Sequence, residues 1–201
     1  MKLIFIDVET TGLEYPDSGL IQLSGVIEIE GEIKASFNHR IRPFPADVVS
    51  DEALSVNGLT HEEIAGYEDP RVAFERFTSL LGQFVDRYDR SDKFHLVAYN
   101  APFDSEHIRA WFEKNNDRFY GSWFWHPPID VMGMAAVAAM ASRSRLNNFK
   151  LTTVARALGL HVEESLAHDA LYDIRLTRSV FQVLVRQKNQ TSSSYWLRQD
   201  R

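Results

Sequence analysis

Residues 3–12 read LIFIDVETTG, an apolar run interrupted by two carboxylates. The apolar residues predict a buried β-strand, in which Asp7 and Glu9 stand two positions apart. Because side chains alternate across a strand, both acids should point to the same face. Two like charges this close repel each other, and burying them is costly unless something neutralises them. A divalent cation with oxygen ligands would do so, and a solvated edge strand is the alternative.

The composition of the 201-residue chain, 44% hydrophobic and 25% charged, is typical of a globular protein with one substantial core. The chain has no cysteine, which excludes disulfides and thiolate metal sites. Its apolar N-terminal run meets an acid at Asp7 and is too short and too charged for a signal peptide or a membrane span. We therefore expect a cytoplasmic protein with no membrane association, in which residues 1–187 form one domain and residues 188–201 a polar, flexible tail.

The formal net charge of −6 opposes tight, non-specific binding to duplex nucleic acid. Bound cations would invert the local field, so an enzyme that engages a short stretch of strand remains compatible with this charge.

The rest of the chain predicts an α/β fold. Residues 20–29 and 33–41 alternate apolar and polar side chains around Glu30-Gly31-Glu32, which indicates a β-hairpin. Two further apolar strands are expected at 94–99 and 129–130. Helices are predicted after Thr60, after Asp69 as far as Tyr88, after Asn100, after Asp130 as far as Met140, at 151–158 and at 167–187, with a basic loop at 142–148. A hairpin followed by alternating strands and helices indicates a mixed sheet flanked by helices, with the strand ends meeting at one crevice.

Three more residues can carry chemistry, and one of them, Asp104, lies near such a strand end. Asp104 follows the second apolar strand, and His168 and Asp173 stand at the start of the last helix. Each also has an ordinary interpretation: a first-turn helix acid, a partly exposed histidine and a solvent-facing acid.

Together these segments resemble the three exonuclease motifs of the DEDD family, in its DnaQ-like branch, which includes the epsilon proofreading subunit and ribonuclease T. The matching segments are residues 5–12, Asn100-Ala101-Pro102-Phe103-Asp104 and residues 168–173. The resemblance extends from residue 3 to about residue 185. A histidine five positions before Asp173 indicates the DEDDh type.

The resemblance implies a ribonuclease H-like fold, in which a five-stranded mixed sheet begins with three antiparallel strands and continues with parallel ones. It also implies that four carboxylates bind two divalent cations, Mg²⁺ or Mn²⁺, and that His168 is the general base. The implied metal ligands are Asp7, Glu9, Asp104 and Asp173. Oxygen-only ligation suits these hard ions, and a neutral histidine can accept a proton from water.

The substrate side of the resemblance is less regular. Residues 56–60 resemble the substrate loop of the family, with Asn57 where histidine is usual, and Tyr99 replaces the histidine that often precedes the second motif. We expect Leu13 and Phe103 to wedge the terminal nucleotide. The full expected substrate-binding set is Thr10, Leu13, Asn57, Asn100 and Phe103.

The expected activity is 3′→5′ exonuclease hydrolysis to nucleoside 5′-monophosphates, most simply on the 3′ end of single-stranded DNA, with a polymerase subunit as a possible partner. RNA trimming and a catalytically silent nucleic-acid-binding module are the alternatives. A haloacid-dehalogenase-type phosphatase is disfavoured because the second acid is Glu9 rather than aspartate. Arg143, Arg145 and Lys150, with Arg109 nearby, could guide the strand, or simply form a solvated loop.

Overall fold

A computed structural model describes residues 1–163 and 170–191, with a five-stranded sheet as the centre of the fold. The strands are β1 (Lys2–Thr10), β2 (Leu20–Ile29), β3 (Glu32–Arg40), β4 (His95–Ala98) and β5 (Ile129–Asp130). Their order is β3-β2-β1-β4-β5. The pairs β3–β2 and β2–β1 are antiparallel, whereas β1–β4 and β4–β5 are parallel. The predicted mixed sheet is therefore confirmed.

Eight α-helices are described in these ranges, with one 3₁₀ helix at Met140–Arg145. They are α1 (Asp51–Asn57), α2 (His61–Ala65), α3 (Pro70–Leu81), α4 (Ala101–Lys114), α5 (Tyr120–Trp123), α6 (Val131–Ala138), α7 (Leu151–Ala157) and α8 (Ala170–Thr191). The local signals act as predicted at several ends. Thr60 and Glu63 form a capping box at α2, and Glu30 and Gly31 take positive φ angles of 50° and 85° in the hairpin turn.

Several predicted boundaries were wrong. Helix α3 ends at Leu81, before Gly82, so Tyr88 lies beyond it and is 88% exposed. The first part of the predicted basic loop at 142–148 belongs instead to the 3₁₀ helix Met140–Arg145. Helices α1 and α5 were not anticipated, and α8 continues four residues into the predicted tail, of which residues 192–201 lie outside the described residues.

The sheet separates two apolar layers because β1 is buried on both faces. Ile4, Ile6 and Val8 pack toward α3 and α4, whereas Leu3 and Phe5 pack toward α6, α7 and α8. Helix α8 is also fixed to β2 by an ion pair, in which the guanidinium of Arg178 lies 2.5 Å from the buried carboxylate of Glu28. No helix within the described residues is long and apolar enough to cross a membrane.

Candidate active site

The first two acids of the candidate site lie at the C-terminal end of β1. Asp7 and Glu9 continue the face that Leu3 and Phe5 present to α8, because they follow these residues at the two-residue period of the strand. Asp173 lies in the first turn of α8, the helix that packs against this face. Both strand acids are half-buried. The packing of β1 against α8 thus directs three carboxylates to one side of the sheet.

Asp104 reaches the same group from the other helical layer. It lies in the first turn of α4, is 4% exposed, and its Oδ1 accepts a hydrogen bond of 3.1 Å from the backbone N–H of Val8. Val8 stands between Asp7 and Glu9, so this bond fixes the helix acid directly beside the two strand acids.

The electrostatics of the site show that these acids interact. Burial, followed by the negative charges of Glu9 and Asp173, raises the pKa of Asp7 to about 8. Burial, followed by the charge of Asp7, also raises the pKa of Asp104 well above its ordinary value, although the N–H of Val8 acts in the opposite direction. Desolvation and like charges both penalise the ionised form, so the folded protein favours the protonated forms of Asp7 and Asp104 when no cation is bound.

The donor chemistry of this group suits a hard cation, since all four side chains offer carboxylate oxygens. The raised pKa values of Asp7 and Asp104 also favour a cation here, because a bound cation would relieve the repulsion between the acids. Within residues 1–163 and 170–191, however, no three acidic or histidine side chains are arranged so that they could hold a metal ion as they stand. Among the described residues, suitable ligands therefore lie together at the end of β1 but do not form a closed metal site.

The predicted general base, His168, lies outside the described residues. Its assignment rests on its position five residues before Asp173. The described structure resumes at Ala170, two residues after the predicted base, where α8 begins; Ala170 is 9% exposed.

A cavity of about 640 Å³ opens beside Glu9. Four of the five predicted substrate-binding residues line it, namely Thr10, Leu13, Asn57 and Phe103. Its lining also includes exposed apolar side chains, among them Leu13 at 78% and Val56 at 81% exposure. An open apolar cleft next to a carboxylate cluster is a suitable place for a flat, neutral base attached to a reacting phosphate.

Hydrogen bonds join the end of β1 to the loops and to helix α1 that surround the cavity. Thr11, which follows β1, is fully buried. Its hydroxyl donates to the Val48 carbonyl at 2.6 Å and accepts from the Gly19 N–H at 2.7 Å. The side-chain amide of Asn57 donates to the Thr10 carbonyl at 3.1 Å. One predicted substrate residue, Asn57, thus also supports the cavity wall.

The opposite wall comes from α4. Phe103 is half-buried: it lines the cavity and also packs against the hydrophobic core. Beneath it lies the buried His107, whose ring centroid is 4.3 Å from that of Phe103 and 5.5 Å from that of Tyr15. The Nδ1–H of His107 donates to the Phe103 carbonyl at 2.9 Å, while Nε2 is buried and has no hydrogen-bond partner among the described residues. His107 thus supports both Phe103 and the loop that follows β1.

Asn100 does not line this cavity. It precedes α4 in a left-handed conformation, with φ 72° and ψ 47°, and its N–H donates to Asp130 at 3.0 Å. Its neighbour Tyr99, which replaces the usual histidine, donates its hydroxyl to the Phe149 carbonyl at 2.7 Å. Burial raises the pKa of this phenol above its ordinary range. Tyr99 therefore joins the end of β4 to the segment before α7.

The basic side chains before α7 are exposed, but one of them has local partners. The guanidinium of Arg143 lies 4.8 Å from the ring centroid of Phe149 and donates to the Leu146 carbonyl at 3.2 Å. Arg145 and Lys150 are exposed to solvent. Arg109 lies on α4, where its guanidinium stands 4.5 Å from the ring centroid of Tyr120, away from this segment in the sequence.

Comparison with known proteins identifies the family to which the chain belongs. The model of the Exonuclease family matches residues 4–181, so the chain belongs to this family, as its three motifs predicted. Ribonuclease T of Baumannia cicadellinicola subsp. Homalodisca coagulata is 26% identical over 189 residues, a match that covers 90% of this chain and 82% of that protein. A PolC-type DNA polymerase III of Thermotoga maritima is 29% identical over 178 residues, but the chain spans only 11% of its length.

Solved structures share the fold. The zinc-bound form of the complex of E. coli ExoI with single-stranded DNA has a TM-score of 0.74 at 20% identity, covering 94% of this chain and 41% of that one. A 3′-exonuclease solved with its histone mRNA stem-loop has a TM-score of 0.65 at 16% identity, and the match covers 92% of this chain and 82% of that one. These likenesses confirm the predicted ribonuclease H-like sheet.

Proposed function

We propose that this protein is a metal-dependent 3′→5′ exonuclease that releases nucleoside 5′-monophosphates. The observation that carries the proposal is the cluster of Asp7, Glu9 and Asp104 at the end of β1, with Asp173 close enough for its charge to raise the pKa of Asp7. The apolar cavity beside Glu9 supports it, since a terminal base needs such a place next to the reacting phosphate.

In this proposal the four carboxylates hold two divalent cations, Mg²⁺ or Mn²⁺. When bound, these ions would activate water and stabilise the departing oxygen of the phosphodiester. The backbone of Val8 orients Asp104. His168 accepts the proton of the attacking water, a role that suits a neutral imidazole.

The terminal nucleotide would lie in the cavity with Leu13 and Phe103 against its base. Thr10 and Asn57 line the cavity with polar atoms, and Asn100 would contact the strand from the start of α4. Contacts of this kind act on the face of a base and therefore tolerate any sequence. We propose single-stranded DNA as the main substrate, in the manner of a proofreading enzyme, because a PolC-type polymerase and an epsilon-like subunit of DNA polymerase III are among the relatives.

An RNA-trimming activity is the second candidate, because a ribonuclease T is among the similar proteins and the fold is shared with a 3′-exonuclease solved with its histone mRNA stem-loop. The chain spans about a tenth of the PolC-type polymerase that it matches, and for a proofreading role we propose a polymerase subunit as partner.

We also propose that residues 1–187 form the catalytic unit and that residues 188–201 are a polar tail, whose first four residues continue α8 and of which 192–201 lie outside the described residues. The family match ends within this unit, at residue 181. A chain without cysteine that acts on nucleic acid is consistent with a cytoplasmic location.

The test is degradation of matched single-stranded DNA and RNA, each labelled at the 5′ end, in the presence of magnesium. We expect a descending ladder of labelled products from the preferred strand and none in excess chelator. Asp104→Asn should remove the ladder, whereas Asp89→Asn, on an exposed turn, should leave it unchanged. Immediate release of label as a mononucleotide, or full activity in chelator, would overturn the proposal. Binding without cleavage would instead identify a silent module.

A further inference from the structure

Asp130 ends β5 and accepts four backbone hydrogen bonds through one carboxylate. Its Oδ1 accepts from the N–H groups of Asn100 at 3.0 Å, Ala101 at 3.2 Å and Met132 at 3.2 Å. Its Oδ2 accepts from the N–H of Gly133 at 3.0 Å. Two of these donors belong to α6, which follows Asp130 directly, and two belong to a segment about thirty residues earlier.

The two earlier donors lie at the N-terminus of α4, which has no side-chain cap of its own. Asn100 occupies the cap position in the left-handed region and makes no side-chain hydrogen bond to the helix. The first N–H groups of a helix need acceptors, and an anion at this end also interacts favourably with the helix dipole. Strand β5 pairs with β4 so that Asp130 stands beside Ala98, two residues before Asn100. Asp130 therefore caps α4 from the neighbouring strand as well as capping α6.

We infer that Asp130 is a positioning residue that fixes Asp104 against β1; this inference rests on the proposed function. Asp104 is only three residues beyond Ala101 in one helical turn, so a displacement of the helix start is carried to its carboxylate. That carboxylate is held at the other end by the N–H of Val8 at 3.1 Å. A reacting group displaced by about 1 Å can lower the rate by about 10²-fold.

Close packing around the carboxylate provides an independent way to move it. A Cβ atom built on Gly133 would lie 2.9 Å from Oδ2 of Asp130, nearer than side chains normally approach. Gly133→Ala should therefore push the carboxylate away while its charge is kept. Asp130→Asn keeps one oxygen and the shape of the side chain, and Asp130→Ala removes all four hydrogen bonds.

The experiment compares these three variants on a labelled oligonucleotide, with rates expressed per folded molecule. We expect Asp130→Ala to lower kcat by about 10²-fold with KM nearly unchanged and with more magnesium needed for half-maximal rate. Asp130→Asn should recover most of this loss, and Gly133→Ala should fall between them. Asp69→Ala is the matched control, because Asp69 caps α3 through the Arg71 N–H at 3.0 Å and should change stability alone.

Crystal structures of the variants separate this inference from the proposed function. We expect the distance from Val8 N to Asp104 Oδ1 to exceed 3.5 Å in Asp130→Ala or, if that variant does not fold, in Gly133→Ala. An unchanged distance with wild-type kcat would refute the positioning role while leaving the exonuclease proposal intact. If the wild-type protein degrades no strand, the proposed function fails, and the distance alone then decides whether Asp130 places Asp104.

Discussion

Asp7→Asn should make the metal-free protein more stable at alkaline pH while removing its activity. The folded protein raises the pKa of Asp7 from 3.8 to about 8, chiefly by burial and then by the charges of Glu9 and Asp173. The folded state therefore holds a proton that the unfolded state has lost, so stability falls as pH rises from about 4 to about 8. Asparagine has no proton to lose and escapes this penalty.

The magnitude follows from the two pKa values. Each pH unit between them corresponds to 1.36 kcal/mol, which sets an upper limit of about 6 kcal/mol on the penalty. The actual penalty should be smaller than this limit, because Asp104 interacts with the same charges and because side chains rearrange when Asp7 ionises. We therefore expect Asp7→Asn to increase the free energy of unfolding by about 2–3 kcal/mol at pH 8.5. This gain is a large part of the unfolding free energy of an ordinary domain, about 5–15 kcal/mol.

Urea unfolding in chelator between pH 5 and pH 9 measures the effect. The difference between Asp7→Asn and wild type should grow with pH and level off above about 8. Saturating magnesium should stabilise the wild type but not the variant, because only the wild type retains the full set of ligands. Asp69→Asn is the control: the Arg71 N–H lowers the pKa of Asp69, so its ionised form is favoured and its replacement should bring no gain. A variant that is less stable than wild type, or a difference independent of pH, would refute the picture of buried, mutually repelling carboxylates.

Four further changes test other parts of the molecule. His168→Ala should lower turnover by about 10²–10⁴-fold while calorimetry shows unchanged manganese binding; lost binding would make the residue a ligand. Phe103→Ala should raise KM by the equivalent of about 1–3 kcal/mol without base preference, whereas a large fall in Tm at constant KM would mark a core residue. Replacing Arg143 and Arg145 together by alanine should flatten the slope of log affinity against log salt by about 1 to 1.5, and an unchanged slope would mean that these side chains are simply solvated. Burial lowers the pKa of His107, so this residue should contribute a loss of stability as pH falls below about 6.5, opposite in sign to the contribution of Asp7. The stability of His107→Phe relative to wild type should therefore rise between pH 6.5 and pH 5, and a difference independent of pH in urea unfolding would contradict this.

The sequence predicted the elements whose evidence is local. Strand β1 and the β2–β3 hairpin follow from apolar periodicity and one turn, and the capping residues Thr60 and Asp69 act on donors two or three positions away. Helix α1 was missed because Leu54 is its one buried side chain and gives no apolar stripe. Its signals were present in the Ser50 cap and in Gly58, which takes a φ of 66°.

Features that depend on distant contacts could not be predicted in this way. The apolar pattern of α3 continues past Gly82, and only the tertiary structure shows that the helix ends before it. Asp130 is recognisable from sequence as the cap of α6, but its bonds to Asn100 and Ala101 require β5 to lie beside β4. The three motifs likewise indicate which acids act together, whereas their burial and mutual repulsion emerge only once α4 and α8 pack on the sheet.

The most direct test of the exonuclease proposal is the chemistry of the released products. A single-stranded oligonucleotide is digested with magnesium in water enriched in heavy oxygen, and the products are analysed by mass spectrometry. We expect nucleoside 5′-monophosphates from the 3′ end, each with one heavy oxygen on its phosphate, and no such products with Asp104→Asn or in chelator. Products with 3′-phosphates, or equal release by wild type and Asp104→Asn, would contradict hydrolysis at the carboxylates gathered at the end of β1.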